Sequence, residues 1–124
     1  MATEVWLQGP VAGYAPLLMP IAHAFLQVKA DIDVLAASVP PSMLWERPGG
    51  AASIGFHLRH IGGATDRLLT YARGERLTPE QADAARQEGT AQAALDALVA
   101  EVHRALDRAL AQVRETPVES LTGE

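Results

Sequence analysis

A chain of 124 residues, 48% hydrophobic and without cysteine, is long enough for one core and excludes disulfides, thiolate chemistry and sulfur-ligated zinc. Its net charge is −5, with nine of its ten basic residues Arg scattered along the chain, so it lacks the concentrated positive charge that tracks a nucleic-acid backbone. No basic region precedes the apolar residues of MATEVWLQGP, and no apolar run approaches the roughly 18 residues of a membrane span, so a cytoplasmic protein that binds neither nucleic acid nor membrane is expected.

Apolar residues recur every three or four positions from Tyr14 to Val39, through Leu17, Leu18, Ile21, Phe25, Val28, Ile32 and Leu35. That is the period of an amphipathic helix. Proline is tolerated in a first turn and not in an interior one, so the regular helix is predicted over 20–38, from Pro20 to just before Pro40 and Pro41. The connection SMLWERPGG follows, with Trp45 read as a core plug. A second helix is predicted over 52–73, with Ile54, Leu58, Ile61, Thr65, Leu68 and Leu69 on one face and Gly74 as its stop. Gly62 and Gly63 in its middle each cost roughly 1 kcal/mol against Ala, a cost explained either by a closely approaching neighbour helix or by nothing more than drift. Thr78, Pro79 and Gln81 read as an N-cap, a first-turn proline and a capping box, opening a short helix over 79–88 that Gly89 ends. A third long helix is predicted over 90–114, with Leu95, Leu98, Val99, Val102, Leu106, Leu110 and Val113 as its buried stripe. Pro117 closes it, and the tail VESLTGE has no further periodicity.

The pattern predicts an all-α antiparallel helix bundle in a single domain, with three long helices and one short one. The residues with chemical potential are His23, His57, His60 and His103. His57 and His60 stand three apart on helix two, so two imidazoles occupy neighbouring positions that can share an ion. If helices two and three are joined by an antiparallel turn, about thirteen residues back from Arg73 and about thirteen forward from Thr90 bring His60 and His103 to one level. His23 points away from the stripe of helix one and reads as a solvent-facing or partner-facing side chain. Glu80, Asp83, Glu88, Asp96, Glu101 and Asp107 read as solvated helix faces, and Asp66 as the partner of Arg67 or Arg73, or as an orienting group for an imidazole.

The stretch PPSMLWERPGGAASIGFHLRHIGGATDRLLTYARGERL resembles the DinB/YfiT-like family of four-helix-bundle proteins. The likeness is carried by Trp45, Pro48, Ser53, His57, Leu58, His60, Ile61 and Gly74, and covers roughly residues 14 to 80. It implies an up-down-down-up bundle with a divalent metal, nickel or zinc, at one end of the helices, and His60 as the ligand from helix two. The family's other two ligands come from a His-x-x-x-His motif on a fourth helix. No such motif follows His60 in this sequence, so His57 and His103 are the candidates to stand in. Some relatives are thiol-dependent transferases or isomerases that use a low-molecular-weight thiol. Two readings follow: a metal-dependent, enzyme-like protein, or a non-catalytic helical module that keeps the scaffold without the site. Three amphipathic helices also leave one groove of a four-helix bundle unfilled. The tail is too short and polar to fill it, so either a continuation of the chain or a second copy must; a homodimer burying at least roughly 1,200 Å² is expected.

Overall fold

A tight 3₁₀ turn at Pro16–Leu18 feeds directly into helix α1, Met19–Ser38, whose first turn accommodates Pro20. The computed structural model describes residues 3–90 and 92–122, and among these the secondary structure is entirely helical. Helix α2, Ile54–Ala72, starts at an N-cap, Ser53, whose side chain accepts from the Phe56 amide at 3.0 Å. It ends in a Schellman motif: Gly74 takes φ 76°, its N–H donates to Tyr71 O at 2.9 Å, and the Glu75 N–H donates to Thr70 O at 3.1 Å. Helix α3, Pro79–Arg86, carries the predicted capping box between Thr78 and Gln81.

Helix α4, Leu95–Glu115, begins five residues later than its periodicity suggested. Trp45 supplies the reason. Its indole Nε1–H donates to the Ala93 carbonyl at 3.0 Å, an acceptor that a helix continuing upstream would give to Ala97. The Ala97 amide bonds Asp96 Oδ1 instead, and the first helical bond runs from Leu98 N to Ala94 O. Trp45 packs against the core cluster, as a plug should. Past α4 a short helix α5, Glu119–Thr122, occupies part of the tail that showed no periodicity.

Contacts along α4 give the direction of every long helix. Against α1, Lys29 meets Asp107 while Asp33 meets His103, so the numbers run in opposite senses and the pair is antiparallel. Against α2, Arg59 meets Glu101, Asp66 meets Arg108 and Arg73 meets Gln112, so the numbers rise together and the pair is parallel. The expected antiparallel turn between the second and third long helices is therefore absent. A crossover containing α3 carries the chain back along the length of α2, as a parallel pair requires, and α1, α2 and α4 run up, down, down.

Two apolar clusters form the core. Ile32, Leu44, Leu58, Leu98, Val102 and Leu106 make one, and Tyr14, Leu18, Ala22, Leu110 and Val113 the other, with Phe25 packed against both. Helix α4 supplies the fully buried members Leu98, Val102 and Leu106, so it is the shared wall on which the other helices rest.

Candidate functional site

The charged node nearest the family's signature lies where the turn after α3 meets the middle of α2. Glu88 is only 5% exposed, and each of its carboxylate oxygens has a partner on α2. Oε1 lies 2.9 Å from His60 Nδ1, and Oε2 accepts from Arg67 Nη1 at 2.8 Å. Burial alone would raise the Glu88 carboxyl. The Arg67 and His60 hydrogen bonds and their charges outweigh it, holding the group below its ordinary value of 4.5. An ionised carboxylate only accepts, so Nδ1 of His60 donates to it, and the His60 ring itself is half-exposed.

Helix α2 admits this carboxylate because Gly63 has no side chain. A Cβ at Gly63 would overlap Glu88 Oε2. One at Gly62 would meet Ala105, Val102 and Glu101 atoms at 3.5–3.8 Å, which is ordinary contact. Close approach of α4 therefore does not demand the glycine pair; the Glu88 carboxylate demands one of its members. Glu88, read from the sequence as a solvated residue, is instead the buried centre of the node. The signal that could have found it was the costly glycine at 63 together with His60 and Arg67, two hydrogen-bond donors, on the same helix.

The four histidines go to different places. His60 stacks on Phe56, ring centroids 5.4 Å apart with planes at 10°, while exposed His57 meets the same ring edge-on at 5.3 Å and 77°. His57 and His60 thus flank one aromatic ring. His103 Nε2 lies 2.8 Å from Asp33 Oδ1 of α1, and His23 Nε2 donates to the Gly9 carbonyl at 3.0 Å, tying the N-terminal segment to α1 rather than facing solvent or a partner. Asp66 pairs with Arg108 at 2.7 Å and not with Arg67 or Arg73. Among the described residues no three His, Cys, Asp or Glu side chains gather closely enough to hold one metal ion.

Beside the node, an open cleft of about 470 Å³ runs between α2, α4 and the end of α3, with Arg59, Gly62, Asp66, Glu88, Arg104 and Arg108 on its walls. Arg59 and Arg108 are paired across it with Glu101 and Asp66, so the charged groups on its walls are close to balanced.

A family model, the DinB superfamily, matches residues 24–122. The chain belongs to the DinB superfamily. No curated protein and no solved structure matches it. The DinB match extends past the stretch that carried the resemblance in the sequence, through α3, α4 and α5, and so takes in His57, His60, Glu88 and His103 alike. No helix of this DinB chain is long and apolar enough, among the described residues, to cross a membrane.

Proposed function

We propose that this DinB-superfamily chain is a divalent-metal protein whose chemistry is centred on His60, with His57 one turn away as its companion ligand. The observation that carries the reading is the His60–Glu88 contact: a buried carboxylate holds Nδ1 of the half-exposed His60 ring at 2.9 Å, the support that ligating histidines ordinarily receive. Two imidazoles on successive turns suit nickel or zinc and occupy two coordination positions, leaving others for water or a small thiol. When bound, such an ion acts as a Lewis acid toward whichever of these it holds. In this reading Glu88 orients the imidazole, and Arg67 keeps Glu88 ionised. His103, engaged with Asp33 on α1, has no part in it.

Protein purified without an affinity tag and titrated calorimetrically with nickel and zinc tests the reading. His60→Ala should weaken binding at least tenfold, and Glu88→Gln, which removes the carboxylate behind the ring, by about tenfold. A ligand of the native state must raise the melting temperature, so a wild-type melt unmoved by either metal would sink the proposal and favour the second reading, a non-catalytic helical module. The large apolar side chains exposed on α1 and α2 are what supports that alternative.

A further inference from the structure

The cleft between α2, α4 and the end of α3 holds one charge that no side chain answers. Its carboxylates are all committed: Glu88 to Arg67 and His60, Glu101 to Arg59, and Asp66 to Arg108, which reaches both carboxylate oxygens at 3.3 and 2.7 Å. Arg104 lines the same cleft and, among the described residues, makes neither a hydrogen bond nor an ion pair. Its helix offers it two acids at the spacing that normally pairs with an arginine, Glu101 three residues before and Asp107 three residues after. Glu101 is drawn to Arg59 of α2 and Asp107 to Lys29 of α1. The packing of α4 between its neighbours thus takes both partners from Arg104.

The cation is also set beside its own kind. Arg108 stands four residues on from Arg104 and lines the same cleft, and like charges at that spacing repel. The Asp66–Arg108 pair is exposed enough to screen that repulsion only in part. An anion lodged beside Arg104 relieves it. The cleft also reaches Leu58, Val102 and Ala105, all buried, so an apolar strip accompanies the charge. At about 470 Å³ the space falls within the roughly 300–1,000 Å³ of small-molecule sites.

We infer that this cleft binds a small organic monocarboxylate, its carboxylate on Arg104 and its apolar body against Leu58, Val102 and Ala105. The planar guanidinium matches a carboxylate as a two-pronged fork. With Arg67 behind Glu88, the charge left over is a single one. A phosphate dianion beside Asp66, Glu88 and Glu101 meets more repulsion than that one cation offsets. The apolar strip in turn favours an organic acid over an inorganic ion. The inference uses neither His60 nor a metal, so it is independent of the metal reading.

Backbone amide chemical shifts of the isotope-labelled wild-type chain, followed as benzoate is added at neutral pH, test it. Signals from residues 58–63 and 101–108 should move together and saturate, with a Kd on the order of 1 mM. Arg104 is exposed and glutamine is a good helix former, so Arg104→Gln should keep the helical circular-dichroism signal while raising that Kd at least roughly tenfold. Arg76→Gln is the control. It removes the same charge from an exposed position after α2, outside the cleft, and should bind benzoate as the wild type does. Inorganic phosphate, and benzyl alcohol as the neutral counterpart, should each bind at least roughly tenfold more weakly than benzoate. Benzoate shifts that never saturate, unchanged affinity in Arg104→Gln, an equal loss in Arg76→Gln, or phosphate or benzyl alcohol binding as tightly as benzoate would each overturn the inference.

Discussion

At the scale of single residues the adjacent glycines of α2 make opposite predictions. Alanine gains about 0.5–1 kcal/mol over glycine inside a helix, and a Cβ at Gly62 finds ordinary contact distances, so Gly62→Ala should stabilise the protein by that amount. Gly63→Ala receives the same backbone gain but pushes Glu88 out of a doubly bonded, buried position, and should be less stable than Gly62→Ala by at least about 1 kcal/mol. In a Glu88→Ala background the two should converge, and urea denaturation of the four variants measures that coupling. The same carboxylate sets a pH dependence. Its pKa is lowered in the folded protein, so its contribution is fully present above the unfolded value and is lost as pH falls through the folded one. Wild type should exceed Glu88→Gln in urea midpoint at pH 7, and the gap should narrow below about pH 4.5; a constant gap would mean that Glu88 is not linked to folding. Composition could not reveal this residue, because its burial comes from the turn after α3 folding back onto α2, a contact 28 positions away in sequence.

At the scale of elements, what was legible is what local chemistry decides. The Thr78–Gln81 capping box, Pro20 in a first turn and the Gly74 stop all appear as read, because each is settled by residues within one turn of the helix end. The start of α4 was not legible, since it is set by a Trp45 hydrogen bond arriving from 48 positions away. Trp45 also constrains α2. A Cβ on Gly55 would lie 2.7 Å from three atoms of the indole ring, and the ring cannot retreat while its Nε1–H holds Ala93. Gly55→Ala should therefore destabilise by about 1–3 kcal/mol despite the better helix former. Its tryptophan emission should shift to the red as the indole is displaced, over a background from Trp6, which is already 52% exposed. An unchanged spectrum with improved stability would show that the ring has room to move.

At the scale of the whole molecule, apolar periodicity gave the number and kind of the long helices but not the directions of all of them. A 3.6-residue stripe reports that a face is buried and nothing about the sense of the helix against it. The parallel α2–α4 pair emerges only from the order of the cross-links at 59, 66 and 73 with 101, 108 and 112. That arrangement makes α4 the common wall of both clusters, Leu98, Val102 and Leu106 in one, Leu110 and Val113 in the other, and Phe25 of α1 touches both. Neither cluster can lose α4 and persist, so the domain should unfold as one unit. Leu106, 1% exposed, is the sharpest probe: Leu106→Ala removes three buried carbons and should cost about 2–5 kcal/mol, a large part of the stability of a domain this size. At fixed protein concentration the fluorescence of Trp45, which reports the first cluster, should lose its native signal at the same urea concentration as far-UV circular dichroism, which reports all the helices, in wild type and variant alike. Val113→Ala, in the second cluster, should lower that same single transition. Two separated transitions in either variant would show that the clusters are independent and that α4 does not couple them.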